Sequence, residues 1–122
     1  MKLSMVKELL QAKAYTGEDK IEQIDIKEAF GSDLMSDVLA FVKEQSLLLT
    51  GLQNSQVIRT AEMMDMQAII LVRGKEPDEE MIEVANSRDI VLMSTDWPMF
   101  LACGILYKNG LTQGGKVGED NE

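Results

Sequence analysis

The sequence predicts an α/β fold, a mostly parallel sheet covered by helices, and three observations support it. Residues 46 to 107 use one unit three times: a short apolar run, a turn of small or charged residues, then a segment with helical periodicity. The runs Leu47-Leu48-Leu49, Ala68-Ile69-Ile70-Leu71-Val72 and Ile90-Val91-Leu92-Met93 are almost continuously apolar, as strands covered on both faces must be. Strand and helix alternate, which is the signature of parallel pairing through helical crossovers.

The elements follow in order. Leu3, Val6, Leu9 and Leu10 recur at helical spacing behind Ser4, a candidate cap, and predict a helix ending near Lys13. Thr16-Gly17-Glu18-Asp19 marks a turn. Ile24-Asp25-Ile26 alternates with period two and predicts a strand with one wet face that runs on toward Phe30, where Gly31-Ser32-Asp33 breaks it. Leu34, Val38, Leu39 and Val42 fall on one helical face, giving a helix that ends near Lys43.

The first repeated unit runs from Ser46 to Thr50, turns through Gly51-Leu52-Gln53-Asn54, and enters a helix near Ser55 whose stripe is Val57, Ile58, Ala61 and Met64. The second turns through Arg73-Gly74-Lys75 into a helix near Asp78, where Pro77-Asp78-Glu79-Glu80 suits the positive end of a helix dipole. The third turns through Thr95-Asp96 into a helix near Pro98. That last helix, Met99 to Tyr107, is apolar on every side, so it either covers a partner subunit or is covered by the amino-terminal segments. Residues 1–111 therefore form one domain, and an acidic tail, 112–122, has little to bury and is expected to be disordered.

Composition narrows the function. The net charge of −9 sets phosphate repulsion against any nucleic-acid or anionic-membrane partner. A small anion held locally by oriented N–H groups is still compatible. The absence of histidine removes the commonest general base and metal ligand. The single cysteine, Cys103, has no intramolecular partner, fits a reducing compartment, and in an apolar helix tends to stay a protonated thiol. There is no signal-type stretch and no membrane-length run, so the expected location is cytoplasmic.

No nucleophile–base pair and no metal-ligand spacing occurs, so neither a catalytic residue nor a cofactor is assigned. Gly110-Leu111-Thr112-Gln113-Gly114-Gly115-Lys116 imitates a phosphate loop but is followed by Val117 instead of Ser or Thr, and it follows a helix. The better candidates are the strand ends, which a parallel sheet gathers along one edge. Thr50, Gly51, Arg73, Gly74, Lys75, Thr95 and Asp96 offer hydroxyls, two cations and close backbone approach for an anionic ligand, and Arg59 on the first repeated helix adds a bidentate donor. The same residues also serve as turn formers and helix caps, and Arg59 has an ordinary surface partner in Glu62. Met63, Met64 and Met66 suit either an adaptable contact or core filling.

The stretch Val57-Ile58-Arg59-Thr60-Ala61-Glu62, continued by Ala68 to Lys75, Pro77 and Ser94-Thr95, resembles a DRTGG domain over about Leu3 to Leu111. Thr50-Gly51 resembles the threonine–glycine position of that family, but Leu52 replaces a second glycine and no contiguous Asp-Arg-Thr-Gly-Gly string is present. The resemblance implies a stand-alone three-layer α/β/α domain similar to the amino-terminal domain of HPr kinase/phosphorylase. It also implies kinship with accessory modules of phosphotransacetylases and CBS-domain pyrophosphatases that commonly pack as dimers. Kinase activity in the first of these belongs to a separate domain and does not transfer. The reading is a non-catalytic regulatory, ligand-sensing or interaction module acting as a homodimer. Its alternatives are a minor enzyme on a phosphorylated substrate, with Asp96 as base and Arg73 and Lys75 as clamps, and a structural scaffold that binds protein.

Overall fold

The computed structural model describes residues 1–42 and 46–115. In chain order the elements are α1 (Leu3–Leu10), β1 (Lys13–Thr16), a single 3-10 turn (Glu18–Lys20), β2 (Glu28–Gly31), α2 (Met35–Phe41), β3 (Ser46–Thr50), α3 (Ser55–Met63), β4 (Ala68–Leu71), α4 (Glu79–Ser87), β5 (Val91–Ser94) and α5 (Met99–Lys108). The five strands form one sheet in the order β1-β5-β4-β3-β2, parallel except for β1, which is antiparallel to β5.

The apolar runs become the three central strands because both of their faces are covered. Leu48, Ile69, Leu71 and Leu92 pack toward Val38, Val57, Ile58, Ala61, Met81 and Ala85 of α2, α3 and α4. The alternate residues Leu47, Leu49, Ile70 and Met93 pack toward Leu3, Val6 and Leu10 of α1 and Ala102 and Leu106 of α5. Three successive crossovers that step across the sheet in one direction and share a hand must leave their helices on one face. The connection from β5 to α5 goes to the other face.

Three local expectations are corrected. The first helix stops at Leu10, where Gln11 takes a left-handed conformation (φ 51°), and Lys13–Thr16 forms an edge strand rather than the end of a helix and a turn. Its N-cap position is Lys2 and no side chain caps it; Ser4 lies within the helix, its N–H donating to Ile21 O. The alternation at Ile24-Asp25-Ile26 yields only an isolated bridge between Asp25 and Lys2, and the strand begins at Glu28. In α2, Val38 and Val42 are buried, but Leu34 and Leu39 are exposed. The expected end of that helix near Lys43 lies outside the described residues.

The last helix answers its two alternatives in part. α5 buries Ala102 and Leu106 against the α1 side of the core, while Phe100, Leu101 and Tyr107 remain exposed, Phe100 at 85%. Of the expected tail, residues 112–115 run beside β2, where Ala29 N–H donates to Gln113 O at 2.9 Å. Residues 116–122, including Lys116 and Val117 of the phosphate-loop imitation, lie outside the described residues. Among the described residues no helix is long and apolar enough to cross a membrane.

Candidate functional site

The strand register brings the candidate turns together. Thr50 stands opposite Leu71, and Leu71 opposite Ser94, so the parallel strands end level with one another. Their following residues form a single rim.

On this rim the β3 end is built around a carboxylate. Asp33 Oδ1 accepts from the Gly51 N–H at 2.7 Å and from Thr50 Oγ1 at 3.1 Å, and Leu52 N–H donates to Thr50 Oγ1 at 3.2 Å. A fully buried hydroxyl is thereby satisfied in both directions, as burial demands. Gly51 is needed for space: a Cβ there would lie 2.7 Å from Arg73 Nη2 and 3.5 Å from both Asp33 oxygens. The guanidinium and the carboxylate therefore flank the same patch of backbone.

Arg73 and Gly74 are both left-handed, at φ 62° and 71°, and Lys75 N–H donates back to Val72 O at 3.2 Å. Two consecutive positive φ values with this bond make a tight turn of the mirror-image type, in which Gly, Asn or Asp is normally placed first. Arginine in that position costs roughly 1–2 kcal/mol. The turn is tied to its neighbour, since Arg73 N–H donates to Trp97 O at 2.8 Å and Gly74 N–H to Thr95 O at 2.9 Å. These bonds close the crevice between the β4 and β5 loops and use up the N–H groups of Arg73 and Gly74. What Arg73 and Lys75 still offer is their side-chain charge; neither makes an ion pair among the described residues.

Thr95 is a fastening. Its buried Oγ1 donates to Leu10 O at 2.6 Å and accepts from Trp97 N–H at 3.4 Å, which joins the end of α1 to the end of β5. Asp96 is exposed, with Oδ1 3.4 Å from the position a Cβ on Gly74 would take. The N-terminus of α3 is capped from within, Asn54 Oδ1 accepting from Gln56 N–H at 3.0 Å, and Ser55 Oγ donates to Glu80 at 3.3 Å. Arg59 projects from an exposed position of α3 and makes no ion pair among the described residues. Its expected partner Glu62 instead accepts from Arg88 at 3.4 Å. Asp33 is the site residue that sequence reasoning misses, since it stands in a strand-breaking Gly-Ser-Asp run; its signal is a carboxylate just past a strand whose neighbour ends in Thr-Gly.

The DRTGG domain profile matches residues 5–103. The chain belongs to the DRTGG domain family. Among solved structures, this DRTGG domain is similar to the crystal structure of the CBS and DRTGG domains of the regulatory region of Clostridium perfringens pyrophosphatase complexed with its activator, diadenosine tetraphosphate, with a TM-score of 0.72 and 17% identity. That match covers 86% of this chain, which spans 45% of the pyrophosphatase chain. At this identity the likeness concerns the fold. None of the curated proteins matches the chain.

Proposed function

We propose that this DRTGG domain is a non-catalytic regulatory module, a cytoplasmic homodimer whose strand-end rim senses a small anionic metabolite. The observation that carries the reading is Arg73. It is held in a costly backbone conformation, its guanidinium is unpaired among the described residues, and it lies over Gly51 at the end of a buried parallel strand. Strain kept at a ligand-facing position argues for use. Arg73 and Lys75 supply the charge, Thr50 and Gly51 the floor, Gly74 the turn, and Thr95 the tie to α1. Asp96 accepts from hydroxyl or N–H groups of the ligand, and Arg59, exposed on α3, adds a donor only by swinging toward the rim. The regulatory setting of the pyrophosphatase relative, whose activator is itself polyanionic, supports this reading.

Dimerisation is assigned to the outer face of α5. Met99–Lys108 contains no acidic residue, whereas the chain as a whole carries −9, so two copies can approach there with the least repulsion. Phe100 and Tyr107 supply apolar area, and Gly104, with open space at its Cβ position, lets a second helix come close. A ligand then acts by binding one assembly or domain pairing more tightly than another. The test is a thermal-shift titration with inorganic phosphate, acetyl phosphate and diadenosine tetraphosphate, alongside light scattering. A concentration-dependent rise in melting temperature that is lost in Arg73→Ala supports the rim. A monomer at micromolar concentration refutes the dimer.

A further inference from the structure

A second site lies where the connections part company. The helix after β4 packs on one face of the sheet and the helix after β5 on the other. Open α/β sheets form their crevices outside the carboxyl ends of strands at such divisions. Here the crevice between the loops is closed by backbone bonds, and the open space is displaced to the α1–α5 side of β5. It is a cavity of about 380 Å³.

Its walls are chemically divided. Leu10, Pro98 and Leu101 provide an apolar floor, and Trp97, 37% exposed, stands beside it. Gln11 and Asp96, both exposed, line the same space. Both side chains and the Trp97 indole are exposed, and none of them has a protein hydrogen-bond partner among the described residues. The walls are also rigid. Thr95 ties Leu10 to the β5 end, Trp97 O is held by Arg73 N–H, and Gln11 is fixed as the left-handed terminus of α1. A preformed, largely apolar recess of this size with a few polar groups at its edge has the character of a small-molecule site.

The chemistry selects the ligand. An indole face takes a planar ring, and a carboxylate takes adjacent N–H donors and repels an anionic edge. We propose that this cavity binds a planar nitrogen heterocycle that presents two neighbouring N–H donors to Asp96, as a guanine-type base does, with the ring against Trp97 and the Gln11 amide on its rim. The site goes beyond the anion rim: it shares Asp96 with it and needs neither Arg73 nor Lys75.

Trp97 is the single tryptophan of the chain, so its emission reports this cavity directly. The experiment titrates guanosine and adenosine, both without phosphate, into the full chain with excitation at the red edge of indole absorption. The expected result is saturable quenching by guanosine, about tenfold weaker for adenosine and about tenfold weaker in Asp96→Asn, the discrimination a bidentate pair supplies. Absence of saturable quenching, equal affinity for the two nucleosides, or indifference to Asp96→Asn overturns the proposal. A phosphate-induced thermal shift without guanosine quenching leaves the anion rim standing while this site falls; guanosine quenching with no response to phosphate does the reverse.

Discussion

Replacing Arg73 with glycine separates strain from function. The left-handed backbone of residue 73 costs a non-glycine residue roughly 1–2 kcal/mol. Glycine loses about 0.5–1 kcal/mol more conformational freedom on folding, which offsets part of that gain. The guanidinium makes no hydrogen bond or ion pair among the described residues, so little folded-state bonding is lost. The balance is a stabilisation of about 0.5–1 kcal/mol, or a midpoint rise of roughly 2–4 °C for a domain of this size. Asp65 is the control, because it is also left-handed (φ 56°), lies past the end of α3, and makes no ion pair among the described residues. Asp65→Gly is expected to gain a similar amount. The two variants then part: under saturating phosphate ligand, Asp65→Gly keeps the ligand-dependent rise and Arg73→Gly loses it. Urea unfolding with and without ligand measures both quantities. Destabilisation of Arg73→Gly by more than about 1 kcal/mol would falsify the view that its side chain is held for a ligand instead of for the fold.

Other consequences are more local. Thr16 Oγ1 donates to Ile90 O at 2.7 Å and accepts from Leu92 N–H at 2.9 Å in a buried setting, so Thr16→Val strands two backbone groups and is expected to cost about 2–4 kcal/mol in chemical denaturation. A Cβ on Gly17, whose φ is 71°, would lie 2.7 Å from Val91 Cγ2; Gly17→Ala should lower stability by about 1–3 kcal/mol, and a neutral result would mean that this turn can move away from β5. Burial pushes the Cys103 thiol above its ordinary value, so less thiolate exists at a given pH. Alkylation at pH 8 should accordingly be slower in the folded protein than in urea, and equal rates would show the thiol to be freely accessible.

The parts of the fold that could be read in advance are those in which burial on both sides leaves a continuous apolar run. Leu47 to Leu49, Ala68 to Leu71 and Val91 to Met93 carry that mark, and their level ends followed from the parallel topology. Lys13–Thr16 carries no such mark. Its pairing is with a strand some eighty residues away, and what secures it is the Thr16 hydroxyl at a register shift opposite Leu92, a contact no local pattern announces. Ile24-Asp25-Ile26 shows the opposite failure. Its alternation is real, with Ile26 buried and Asp25 exposed, but it reflects packing beneath α1, not a ladder. The rim residues were legible by type, since turns after parallel strands must meet. Their bonding was not: the N–H groups of Arg73 and Gly74 are spent on the next loop, and Asp33 enters from a strand whose start had been misplaced.

Four of the five strands are assembled by neighbours in sequence, each crossover adding one strand beside the last. The clasp of β1 onto β5 is the exception, and it must wait until that series is complete. Loop closure penalises distance only logarithmically, about 0.6 kcal/mol for each doubling, so this late event is slow to arrange but not costly to keep. Until it happens, Val91 and Met93 lack their cover from the amino-terminal segment. A nascent chain would thus spend its assembly with one raw edge, and amide exchange should find that same margin the first to loosen in the finished domain.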